Sequence, residues 1–233
     1  MQIVSKAALA LAVTAWAGAP ASAATMDAAS VGSIHVGGHT ASNDDGSEYY
    51  ASGNDDAFSE FGVATFRFTG ADFGGSLADL ASATFNLTVN DRTFADGTSL
   101  EVFFSADDFD ADYTGLDYNA ALDNGIDASQ FTSLTSLGVY AVASTEANGG
   151  AIESIALDLS AVEAELIAQV NAGSEFQLII GVTDATHDIT YAGVGNTFDP
   201  GAPSLELTAV PEPGSLALLG LGTLMLVRRR RSK

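Results

Sequence analysis

The feature that most constrains the fold is a recurrent alternation of apolar and polar residues at period two. Ala64, Phe66 and Phe68 alternate with Thr65, Arg67 and Thr69, and Phe85, Leu87 and Val89 alternate with Thr84, Asn86 and Thr88. Leu100, Val102 and Phe104 repeat the pattern, then Ile155, Leu157 and Leu159, then Phe176, Leu178, Ile180 and Val182. Leu205 and Leu207 close the series between Ser204, Glu206 and Thr208. Successive strand side chains point to opposite faces, so each run is expected to turn one face to a core and one to water, as half-buried antiparallel strands do. Further candidates at 31–36, 137–143 and 188–193 bring the number of strands to about nine or ten, separated by Gly-, Asp- and Asn-rich turns.

One segment breaks the period. Ser160 followed by Glu163 has the spacing of a capping box, and Val162, Leu166, Ile167 and Val170 form one helical stripe. Asn171 and Gly173 supply the stop. The pattern predicts an all-β fold, a two-sheet antiparallel sandwich of jelly-roll type, with one short helix near 161–171.

Charge divides the chain into three parts. Between Ala24 and Ala209 stand two basic residues, Arg67 and Arg92, against 29 acidic ones, a net of −27 inside a chain whose total is −22. The remaining basic residues are Lys6 near the start and Arg228, Arg229, Arg230, Arg231 and Lys233 at the end. A body this acidic lacks the clustered cations that neutralise phosphates, which excludes nucleic acid as a partner. The absence of cysteine removes disulfides, thiol catalysis and thiolate-bound metals.

Residues 1–23 have the order of a secretory signal peptide. Lys6 closes a short basic region, Ala7–Ala19 is an apolar run too short to span a bilayer, and Pro20 ends it. Ala21-Ser22-Ala23 offers the small-x-small pattern a signal peptidase needs, so cleavage is expected after Ala23, leaving Ala24 at the mature N-terminus. Residues 24–209 form the acidic β domain and residues 210–233 a second targeting segment. There Ser215–Val227, 13 uncharged residues, precedes the arginines. A full bilayer span takes about 20 residues, and snorkelling arginines extend the reach of a shorter one. The expected transmembrane helix carries its arginine flank on the cytoplasmic side and the acidic body outside.

Pro211-Glu212-Pro213, the apolar span Gly214–Val227 and the cluster Arg228–Arg231 together resemble the PEP-CTERM sorting signal. The resemblance implies a bacterial envelope protein handled by an exosortase, a membrane protease that cuts near the Pro-Glu-Pro box and releases the body to the cell surface or extracellular matrix. A proline pair fixes an extended, non-helical segment of the kind a protease binds. The other reading of this end is a plain membrane anchor, and both export the domain.

Within the body, Phe61–Phe68, Leu77–Leu80 and Ala81–Val89 resemble the DNRLRE-type domains of bacterial surface proteins, and Ala156–Ser160, Glu175–Val182 and Pro203–Leu207 keep a similar order. The chain departs from that pattern in a long acidic insertion at 105–135 and in having no tryptophan in the body, since Trp16 lies in the leader. The resemblance implies a carbohydrate-binding-module-like sandwich and no reaction.

No G-x-S-x-G, P-loop or H-E-x-x-H motif is present, so no enzyme class is expected. His35 and His39 have a metal-like spacing but lack the helix that would bring positions i and i+4 together. Asp107, Asp108, Asp110 and Asp112 are the candidate Ca²⁺ ligands, because Ca²⁺ takes about six to eight oxygens and such loops supply them. Tyr113 at the sixth position and Asn119 at the twelfth reject an EF-hand. Asp123, Asn124, Asp127, Asn43, Asp44, Asp45 and Glu48 enlarge the acidic clusters, whose alternative role is to be solvated loops. Tyr49, Tyr50, Tyr113, Tyr118, Tyr140 and Tyr191 offer rings that either stack on sugars or sit half-buried with wet hydroxyls.

The expected function is that of an exported, non-catalytic structural or adhesive protein of the cell surface or exopolysaccharide matrix. Its expected partners are signal peptidase, an exosortase, the membrane before processing, and exopolysaccharide. A dedicated carbohydrate-binding module is the alternative, with a glycan-active enzyme behind it, since two carboxylates suffice for glycoside hydrolysis.

Overall fold

The computed structural model describes residues 21–35, 48–52, 60–90, 99–106, 134–142, 150–183, 188–197 and 201–210. Eleven strands lie among them: β1 Ala23–Asp27, β2 Ser30–His35, β3 Glu48–Ser52, β4 Glu60–Arg67, β5 Leu80–Thr88, β6 Ser99–Ser105, β7 Thr135–Ala141, β8 Ile152–Ala156, β9 Glu175–Val182, β10 Asp188–Ala192 and β11 Ser204–Ala209. A four-stranded sheet runs β1-β11-β5-β8, and a larger one runs β10-β3-β4-β9-β6-β7 with β2 also paired to β4. Every pairing is antiparallel. The all-β expectation therefore holds.

The two sheets share one core, and its members are the apolar positions of the period-two runs. Phe85, Leu87, Leu205 and Leu207 come from the smaller sheet; Ala64, Phe66, Leu178, Ile180, Leu100 and Val102 come from the larger. Phe66 meets Phe85 across the interface edge to face, with ring centroids 6.0 Å apart. Phe176 lies opposite Phe66 in the β4–β9 register, stacks on Phe66 and Phe68 at 6.2 Å each, and reaches Phe104 at 5.8 Å. Burying each such ring contributes about 1.5–3 kcal/mol, which is why strands with so few charged partners cohere.

The expectation that every strand wets one face is corrected for the middle of the larger sheet. Phe61, Val63, Phe103 and Ile179 occupy the faces opposite the shared core, yet all are buried. Phe61 and Phe103 meet edge to face at 6.2 Å. Beside them Gln177 donates to the Thr65 hydroxyl at 3.3 Å, and both residues are buried. β4, β6 and β9 are interior strands covered on both sides, and Phe176–Val182 reads as a nearly continuous apolar run for that reason.

The helix α1 spans Glu163–Ala172, close to its expected position. Its capping box does not form. The chain turns at 160–162, so Glu163 is the first helical residue and not the third, too early to bond back to Ser160. The Glu163 carboxylate instead accepts from the Leu80 N–H at 3.1 Å, and Asp158 accepts from the Ser160 N–H at 2.9 Å. Val162, Leu166 and Val170 are buried against the core. Gly173 ends the helix with φ 64°, while the Ser174 and Gly173 N–H groups bond back to Gln169 and Val170. Arg67, the sole Lys or Arg among the described residues, donates through Nε to the Gly173 carbonyl at 2.8 Å, a cation at the negative end of the helix.

No helix among the described residues is long and apolar enough to cross a membrane. The expected span Gly214–Val227 lies outside the described residues.

Candidate functional site: the sorting edge and an adjoining groove

Among the described residues β1 is the outermost strand of the four-stranded sheet and pairs only with β11. The register places Ala23 opposite Thr208, Ala24 opposite Leu207 and Asp27 opposite Ser204. The first and last described segments thus lie side by side. The Ala209 N–H donates to the Ser22 carbonyl at 2.8 Å, and the Val210 N–H donates to the Asp79 carbonyl at 3.0 Å. The ladder has no donor at Pro211, and a residue before proline favours extended backbone. The last strand of the body therefore leads into Pro211-Glu212-Pro213 with Val210 as its only spacer.

Further along this sheet, one register line crosses all four strands through Asp27, Ser204, Asn86 and Ser154. Asn86 and Ser204 are polar positions of the period-two runs, and Ser154 donates to the Asn86 side-chain oxygen at 2.7 Å. Asp27, Asn86, Thr88, Asn196 and Ser204 line a groove of about 410 Å³, with Ile152 and Val194 beside them. Ile152 is 67% exposed and Val194 48%, so two aliphatic side chains face solvent next to a carboxylate, amides and hydroxyls. Convergent polar groups beside apolar surface in a space of this size suit a small polar ligand. Sequence reasoning missed the groove because its residues come from five separate segments; the alternation marked Asn86, Thr88 and Ser204 only as facing away from the core.

Of the expected cleavage residues, Ala23 and Ala24 open β1 and Ala21 lies two residues before it; the strand was not foreseen because Ala24 and Met26 give its alternation little apolar contrast. Pro211, Glu212, Pro213, Arg228, Arg229, Arg230 and Arg231 lie outside the described residues, as do Asp107, Asp108, Asp110 and Asp112. His35 ends β2, whereas His39 and His187 lie outside the described residues. Among the described residues no group of three or more His, Cys, Asp or Glu side chains is placed to hold a metal ion.

Three of the tyrosines have their hydroxyls bonded within the domain. Tyr49 and Tyr191 face each other in the β3–β10 register and are buried. The Tyr49 hydroxyl donates to the Leu178 carbonyl at 3.0 Å and the Tyr191 hydroxyl to Glu153 at 2.7 Å. Tyr140 donates to the Leu137 carbonyl at 2.7 Å. Burial raises the pKa of all three phenols, and the Glu153 charge adds to the shift of Tyr191. Tyr113 and Tyr118 lie outside the described residues.

A β domain whose final strand passes directly into a Pro-x-Pro box, an apolar run and terminal arginines has the build of an exported protein with a C-terminal sorting signal. The PEP-CTERM protein-sorting motif matches residues 209–231. The match implies export, transient membrane anchoring through the C-terminal tail, and processing by an exosortase. No curated protein matches the chain.

Proposed function

We propose that the protein is a non-catalytic structural or adhesive component of the bacterial cell surface or exopolysaccharide matrix. In this reading signal peptidase cuts after Ala23, an exosortase processes the tail, and a jelly-roll-like sandwich of 24–209 is what reaches the outside. The observation that carries it is the sorting motif at 209–231, which starts within the last strand of the domain. Intact mass of the extracellular form tests it, with fractionation of the matrix: the expected species begins at Ala24, lacks Arg228–Arg231 and partitions with the matrix. A freely diffusing species that retains the arginines would sink the proposal. Ca²⁺ held by Asp107, Asp108, Asp110 and Asp112 is part of the same proposal, and a melting temperature equal in Ca²⁺ and EDTA would remove that part.

A second reading, glycan binding, is favoured by the groove beside β1. Amides, hydroxyls and a carboxylate bond to sugar hydroxyls, and Ile152 and Val194 supply apolar contact in place of an aromatic platform. Retention of the secreted protein on a polysaccharide screen, lost in Asp27→Ala and Asn196→Ala, would favour it. Turnover of the polymer by the purified protein would overturn the non-catalytic assignment.

A further inference from the structure

We propose that the N-terminal leader clamps the C-terminal sorting motif, so that cleavage at Ala23 is the reaction that supplies the exosortase with its substrate. The inference rests on the reading that both ends are processed, and adds an order and a physical cause. Ala209 is the first residue of the matched motif and the last of β11. Its N–H is held by the carbonyl of Ser22, and Thr208 lies opposite Ala23. Both partners, Ser22 and Ala23, are on the leader side of the expected cut.

Hydrolysis of the Ala23–Ala24 peptide bond adds one water, leaving a carboxylate on Ala23 and an ammonium group on Ala24. The departing leader takes Ser22 and Ala23 with it. The pairs from Ala24–Leu207 to Asp27–Ser204 remain, so β1 stays docked while the end of β11 nearest the sorting box loses its outer partner. The Ala209 N–H then has no strand beside it. An uncovered strand edge is what an extended-substrate cleft pairs with, whereas a paired edge is closed to it. With Val210 as the only spacer, an enzyme acting near Pro211–Pro213 needs this segment. The inner side still holds, through Val210 to Asp79 and Ala209 opposite Leu80, so the release is local and the domain need not unfold.

The test uses the full chain in a bacterium with an active exosortase. Ala23→Phe places a bulky residue where signal peptidase requires a small one, and position 23 is exposed, so the fold tolerates it. This variant is expected to keep its leader and also its terminal arginines by intact mass. Ala209→Pro removes the clamped N–H. Combined with Ala23→Phe it is expected to restore loss of the arginines despite the retained leader, and alone it is expected to be processed at both ends. Loss of the tail at the wild-type rate in Ala23→Phe would overturn the clamp. So would a double variant that keeps its tail while Ala209→Pro alone loses it, since tethering and not pairing would then be the block.

Should Ala209→Pro alone block processing, amide exchange decides instead. In full chains from a strain without exosortase, the Ala209 amide is expected to exchange about tenfold faster or more once the leader is gone. Equal exchange overturns the clamp. A wild-type chain that keeps Arg228–Arg231 in the exosortase host would count against the sorting reading itself, leaving the exchange measurement to judge the clamp.

Discussion

The Tyr191 hydroxyl donates a 2.7 Å hydrogen bond to the Glu153 carboxylate, linking β10 of the larger sheet to β8, the far edge of the smaller one. An isolated bridge between Val89 and Tyr191 joins the sheets at the same place. Tyr191→Phe keeps the ring in the core and deletes only the donor. The expected loss is about 1–2 kcal/mol, near the lower end for bonds to charged groups because Glu153 is half-buried. Chemical denaturation of the two proteins checks it; an unchanged midpoint would mean that water replaces the bond at no cost.

Phe176 is the ring on which the aromatic core converges, with Phe66, Phe68 and Phe104 all within 6.2 Å. Phe176→Ala opens a cavity between interior strands that cannot close around it. The expected cost is about 3–5 kcal/mol, with Phe176→Leu milder because it leaves less empty volume. The order of the two denaturation midpoints is the measurement.

Asn171 fastens the segment before β5 to the helix. Its Oδ1 accepts from the Leu77 N–H at 2.7 Å and the Ser76 hydroxyl at 3.1 Å, and its Nδ2 donates to the Leu77 carbonyl at 2.8 Å. Asn171→Ala is expected to cost about 1–3 kcal/mol, since it strands the part-buried Leu77 groups. Asn171→Asp is not a rescue: it keeps the acceptor, loses the donor and puts a negative charge in the last turn of a helix. Thermal melting of both variants should show both destabilised.

Why the sheet interior was legible and the site was not follows from how each is encoded. Phe66, Phe85, Leu178 and Leu205 announced themselves because one side chain in two must leave water, and that rule acts within each strand. Burial of Phe61 and Val63 depends on the position of β4 in the sheet order, which alternation does not carry, although the apolar run of β9 hinted at it. Asn171 looked like a helix stop and is a helical residue whose amide serves a distant loop, because Gly173 with its left-handed backbone already ends the helix. The sorting box was legible as three consecutive segments. The contact of Ala209, just before the box, with Ser22 was not, since pairing of β1 with β11 is a choice of topology.

Gly201 lies against Thr88 so closely that a Cβ at position 201 would clash with the Thr88 hydroxyl oxygen and come 3.1 Å from its Cβ. Gly201→Ala must therefore shift the Thr88 side chain at the end of β5, or its own segment, where both line the groove. The expected cost is about 1–3 kcal/mol. Thr88→Ala in the same chain should recover part of it, since the nearest atom is removed and the next remains tight. Any ligand held by the groove should be lost in Gly201→Ala before the fold is.

Alkaline stability is the property that the buried phenols control. Burial raises the pKa of Tyr49 and Tyr191 well above the ordinary 10.0, and Glu153 pushes Tyr191 further in the same direction. Below about pH 10 both phenols are protonated in the folded and the unfolded chain, so they add no pH dependence. Above it the unfolded chain releases these protons while the folded one keeps them. The unfolded state then binds fewer protons, and stability must fall as pH rises toward the folded-state values. Tyr49→Phe and Tyr191→Phe each remove one such group. Each variant is expected to start less stable near neutrality, through the lost bond to Leu178 or Glu153, yet to lose less stability per pH unit above about 10. Denaturation free energies across that range separate the two effects: a variant that falls as steeply as the parent would assign the alkaline transition to the other tyrosines of the chain instead.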